Sequence, residues 1–127
     1  MGDEEAATLD GQFYEFAKFF DLKKERDGTL ITLYRSDYWL RQAKVLDDRK
    51  LTMTDTGLMW WKYPKTELNW DEWYGILTDL CVIKSLDQEF VELALTNCGL
   101  PGTSTVIVPQ YRSFFDTFKP KSKLLVG

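Results

Sequence analysis

The chain has 127 residues, is 44% hydrophobic and 15% aromatic, and carries 16 Lys and Arg against 20 Asp and Glu, for a net charge of −4. That length suits one domain, and the apolar share is enough to build a core. Histidine is absent, which excludes Ser-His-Asp and Cys-His catalysis and every His-containing zinc site. Two cysteines are too few for a disulfide framework.

The chain opens on MGDEEAATLD, which is acidic and polar, unlike a secretory signal; Ala6 replaces the Ser or Thr of a myristoylation motif. Cys81 and Cys98 are accordingly expected as reduced thiols. A first helix is predicted from Thr8 to Phe20, because Leu9, Phe13, Phe16 and Phe20 recur on one helical face. Asp27-Gly28 breaks the following charged stretch, and LITLY reads as extended. Ser36 can cap a second helix with Trp39, Leu40 and Ala43 inward. Thr54 can cap a third, DTGLMWWKY, ended by Pro64. On it Leu58 and Trp61 share a face and Trp60 points about 100° away. This predicts Trp61 in the core and Trp60 as a boundary residue able to touch a partner.

Asn69 and Glu72 form a capping box for a fourth helix, whose Trp70, Trp73, Tyr74, Leu77 and Leu80 follow the helical period. Trp39, Trp70 and Trp73 are assigned to packing. Ser85 and Gln88 suggest another capping box, opening a fifth helix with Leu86, Phe90, Leu93 and Ala94 on one side. Cys98-Gly99-Leu100-Pro101 is a helix stop. Beyond it, TSTVIVP reads as extended or loose, YRSFFDTF places Tyr111, Phe114, Phe115 and Phe118 at helical spacing, and KPKSKLLVG reads as a disordered tail.

Helix, loop with an extended piece, helix occurs twice in this order, the outline of a paired EF-hand. A calcium loop needs oxygen ligands at positions 1, 3 and 5, Gly at 6, an apolar residue at 8 and Glu at 12. With Leu68 at position 8, the second loop offers Trp61, Tyr63 and Lys65 as ligands and Thr66 at position 6, although Glu72 falls at 12. With Gly28 at position 6, the first offers Lys23 at 1 and Tyr34 at 12. Neither is expected to bind calcium. The expected fold is mainly α, an EF-hand-like bundle of about five short helices with small extended segments in the loops. An acidic tail at 1–7, a domain at 8–104 and a partly disordered tail at 105–127 complete the expected organisation. No metal or cofactor is expected.

The run LITLYRSDYWLRQAKVLDDRKLTMTDTGLMW, the start FYEFAKFFDLKKERDG and the later CGLPGTS resemble the tubulin polymerization-promoting protein family. QAKV, TDTG and CGLPG in this order are its most specific signals, and the likeness covers about residues 12–104. The resemblance implies a helical, EF-hand-like domain without calcium sites, in proteins of the cytoplasm and cytoskeleton that bind tubulin and promote, stabilise or bundle microtubules. Zinc binding and magnesium-dependent GTP hydrolysis are associated with some members. This chain departs in lacking His, in lacking the Gly-rich tail of longer members, and in its aromatic LMWWKYPKTELNW segment.

Residues 35–65 carry seven bases and four acids, residues 66–98 seven acids and one base. Tubulin surfaces are acidic, so the basic segment is the expected contact, through Arg35, Arg41, Lys44, Arg49, Lys50, Lys62 and Lys65 together with Trp60. Arg41 and Lys44 lie three apart on one predicted helix. Lys119, Lys121 and Lys123 are expected to add a second contact. The competing reading is an adaptor whose aromatic groove accepts a peptide or the chain's own Phe-rich tail. A non-enzymatic role is expected, with no nucleic acid or membrane partner.

Overall fold

The computed structural model describes residues 6–104. Five helices and two short strands follow one another as α1 (Leu9–Ala17), β1 (Ile31–Thr32), α2 (Leu33–Gln42), α3 (Met53–Trp61), β2 (Glu67–Leu68), α4 (Trp70–Ile83) and α5 (Gln88–Thr96). The order forms two helix–loop–helix units, α1-β1-α2 and α3-β2-α4. Their loops join where β1 and β2 pair antiparallel, with Ile31 opposite Leu68. Helix α5 packs against α1. The mainly α, EF-hand-like arrangement is therefore realised, and its short helices are closed by caps rather than by length.

Each helix begins on an oxygen-bearing side chain that satisfies a free backbone donor. Thr8, the predicted first residue of the first helix, stands before it and accepts from the amide of Gly11, and Asn69 shares the predicted reciprocal capping box with Glu72. Three other caps differ from expectation. Thr32 opens α2 by accepting from Arg35, whereas Ser36 is buried one turn inside and accepts from the indole Nε1 of Trp73 at 3.0 Å. Thr52 opens α3 in a capping box with Asp55, in place of Thr54. Asp87 opens α5, because Ser85 sits in a left-handed turn at φ 56°. At α2, α3 and α5 more than one Ser, Thr or Asp lies close to the start, and the oxygen that lets the buried stripe turn inward is the one used.

The inward stripe of α3 corrects the tryptophan assignment. Thr56, Met59 and Trp60 face the core, while Leu58 and Trp61 face outward. Both the inward three and the outward two have helical spacing, so periodicity alone does not separate them. Trp60 goes inside because its Nε1 reaches the Thr66 carbonyl at 3.1 Å, which satisfies the buried indole. Likewise α5 buries Val91 and Leu95 and leaves Phe90 and Leu93 exposed, against expectation. Phe20, expected on the inward face of the first helix, lies past its end and is half exposed.

The centre of the core is a stack of rings. Phe16 lies parallel to Trp39 at 5.2 Å, and Trp39 lies parallel to Trp73 at 4.8 Å. These three come from α1, α2 and α4, so the stack ties the two units together. Trp39 also donates to the carbonyl of Leu95, which anchors α5. Phe13 meets Trp70 edge-on at 5.4 Å.

Two glutamines fasten the turn after α5. Gln12 Nε2 donates to the Gly99 carbonyl at 2.9 Å. Gln42 Nε2 donates to the carbonyls of Cys98 and Leu100, each at 2.9 Å, and its Oε1 accepts from Gly102 at 3.1 Å. Gly99 has φ 88°, where a Cβ would also stand 2.7 Å from Thr103 Oγ1. The helix stop seen in the sequence is thus a bonded clasp onto α1 and α2.

Candidate functional site

The β1·β2 register fixes the loop positions. Leu68 and Ile31 face each other as the apolar position of each loop, and each exit helix starts two residues later, at Trp70 and Leu33. This keeps the alignment of the second loop and moves the first by one residue. Lys24, Arg26, Gly28 and Arg35 then stand at positions 1, 3, 5 and 12, in place of Lys23, Glu25, Asp27 and Tyr34. Side-chain cations replace the ion. Arg26 donates through Nε to the Ala17 carbonyl at 2.7 Å and through Nη2 to the Leu30 carbonyl at 2.9 Å, and it pairs with Glu67. Leu30 holds the loop position whose carbonyl binds calcium in an ion-loaded hand.

Arg35 occupies the place of the bidentate acid. It donates to the carbonyls of Phe19 and Phe20, and burial followed by the nearby Arg26 charge lowers its pKa. In the second loop Lys65 Nζ lies 2.7 Å from Glu72 Oε2. That hydrogen bond, then the Asn69 amide, depress the Glu72 carboxyl below the usual range. A dication entering either loop meets a positive charge already bonded to the oxygens it needs. Among the described residues, no three His, Cys, Asp or Glu side chains cluster so as to hold a metal ion. Millimolar calcium is expected to leave the melting temperature within about 1 °C, because only binding to the native state raises it. A rise of several degrees in a calorimetric scan would refute this account of the loops.

The remaining candidate is a surface. At the C-terminal end of α3 a cavity of about 890 Å³ is lined by Leu33, Gly57, Trp60, Trp61, Tyr63 and Pro64, with Lys62, Lys65 and Thr66 at its edge. Trp61 is 85% exposed, and Leu58, three residues before it, is 63% exposed. Single exposed apolar residues are ordinary, but a Trp beside a Leu on one helix face and next to a groove makes this the candidate contact surface. Trp60 forms the groove wall from inside, being 6% exposed. The sequence placed the pair on this helix but reversed their roles.

The basic residues singled out from the sequence fall into separate groups. Lys62 and Lys65 are exposed beside the groove, and Lys65 is held by Glu72. Lys44, Arg49 and Lys50 are exposed on the α2–α3 connection, where Lys50 donates to the Ser85 carbonyl at 3.2 Å. Arg41 is not on that surface. It is 8% exposed and bonds Asp48 with both terminal nitrogens, at 2.8 and 2.9 Å. Nor does it share a helix face with Lys44, which lies past the end of α2 at φ 64°. Arg35 is turned into the first loop, as above. Lys119, Lys121 and Lys123 lie outside the described residues.

Both thiols are free, Cys81 buried and Cys98 half-buried. Burial raises the pKa of each, which is the opposite of an activated nucleophile. No helix among the described residues is long and apolar enough to cross a membrane.

The p25-alpha family model matches residues 10–123 of the chain. No curated protein sequence matches the chain.

Proposed function

Since the chain belongs to the p25-alpha family, that of the tubulin polymerization-promoting proteins, we propose that it binds tubulin and promotes the polymerization, stabilisation or bundling of microtubules. It acts by presenting a surface and carries out no catalysis, in the cytoplasm and on the cytoskeleton. The observation that supports a binding role is the groove at Trp61, an apolar cavity beside an exposed indole and rimmed by Lys62 and Lys65. An acidic protein surface is met by the lysines, and an apolar side chain of that surface is met by Trp61. Lys44, Arg49 and Lys50 extend the positive surface, and Lys119, Lys121 and Lys123 add a second contact that raises avidity.

Co-sedimentation with microtubules at low and moderate salt tests the proposal. The wild-type chain is expected to pellet. Trp61→Ala combined with Lys62→Glu is expected to weaken binding about tenfold, the scale of a lost contact hot spot. Charge reversal at Lys44, Arg49 and Lys50 is expected to weaken it further at low salt than at high salt. Binding that all five changes leave untouched would remove this surface from the contact.

The groove also favours a second reading, an adaptor that accepts an apolar peptide other than tubulin. In that case the wild-type chain stays in the supernatant with microtubules at every salt concentration.

A further inference from the structure

On α5, Phe90 is 67% and Leu93 57% exposed. They stand three residues apart and share one helix face, opposite the buried Val91 and Leu95. The last turn of α4, which leads into α5, exposes Val82 and Ile83 as well. The exposed charges close to these residues in the chain are acidic. Helix α5 holds no basic residue, while Asp79, Asp87 and Glu89 are exposed. The single base of residues 66–98, Lys84, is turned away to Asp55 of α3, at 3.3 Å.

We propose that residues 109–123 of the same chain cover this face. Three observations converge on that occupant. The segment has the opposite character: Tyr111, Phe114, Phe115 and Phe118 at helical spacing, with Arg112, Lys119, Lys121 and Lys123 against the single acid Asp116. It is also within reach. The described chain leaves α5 through the glutamine-held turn and stops at Ser104. Residues 104–110 can extend about 20 Å, more than the roughly 13 Å length of a nine-residue helix such as α5. Finally, the family match continues to residue 123, so the segment belongs to the same family pattern as the helices.

The pairing goes beyond the tubulin reading and constrains it. Lys119, Lys121 and Lys123 serve either α5 or an outside acidic surface at a given moment, so an acidic partner competes with the chain's own helix for them.

Zero-length carbodiimide cross-linking of the full chain, read by mass spectrometry, tests the proposal. Cross-links within one chain are expected from Lys119, Lys121 or Lys123 to Asp79, Asp87 or Glu89, falling at least fivefold in high salt. Phe90→Ser with Leu93→Ser is expected to reduce them as much, with circular dichroism unchanged because both side chains are exposed. Mixing isotopically heavy and light chains distinguishes the occupant. Cross-links mainly between heavy and light chains identify a second copy and overturn the proposal. So do cross-links spread over the acids of residues 1–34, their absence from this face, or indifference to both salt and the double substitution. Pelleting with microtubules is not part of the readout, so either proposal can fail alone.

Discussion

Replacing Trp39 by alanine is expected to destabilise the domain by about 3–5 kcal/mol, the range for deleting a fully buried large aromatic. Trp39 has no exposure and lies between Phe16 and Trp73, parallel to both. Removing it opens a cavity between the two helix–loop–helix units, leaves two rings without a stacking partner, and removes the bond its Nε1 gives to the Leu95 carbonyl. A domain of this size has about 5–15 kcal/mol in total, so the variant loses a large part of its margin. Urea denaturation followed by far-ultraviolet circular dichroism gives the difference directly. Trp61→Ala is the control: at 85% exposure it is expected to change stability by less than about 0.5 kcal/mol. Equal losses from the two changes would show that the inside–outside assignment of the tryptophans is wrong.

The second large effect is expected at Gln42. Its amide serves three backbone groups, the carbonyls of Cys98 and Leu100 and the amide of Gly102. Gln42→Leu keeps the volume and removes every one of those bonds, at a cost of about 1–3 kcal/mol for stranded polar groups. The melting temperature is expected to fall by on the order of 10 °C, given the several degrees per kcal/mol typical of a small domain. Hydrogen exchange adds a spatial readout. Amides of residues 97–103 are expected to lose protection before those of α4, since the clasp is local while the ring stack is unchanged. Uniform loss throughout the domain would mean that Gln42 supports the core rather than the turn.

Much of this fold can be read from the residues, for reasons that vary along the chain. α4 is legible because its cap, its Glu at the third position and its apolar period all point to one helix, and the structure agrees. The helix stop at Gly99 is legible because glycine relieves a positive φ. The outward and inward stripes of α3 and α5 are not legible. TGLMWW and EFVELAL each contain two stripes at helical spacing, and the choice depends on partners outside the stripe, the Thr66 carbonyl for Trp60 and the α1 surface for α5. Arg41 was equally hidden. Seven residues separate it from Asp48 in sequence, and only the fold closes them into a bidentate pair. The one-residue shift of the first loop follows from strand register, which a single strand cannot specify without its partner. Of the candidate site, the sequence located the segment from Trp60 to Lys65 but not the side of the helix that offers it.

The guanidinium and ammonium groups installed in the two loops have a consequence for timing. In a sensor of this shape the angle between helices follows the ion, opening when a calcium transient arrives. Here Arg26, Arg35 and Lys65 arrive with the polypeptide itself. The posture of the helices is therefore expected to be set at translation and to stay the same through the transient. Control over this protein is then expected to act from outside the loops, through its abundance, its surface or its competitors.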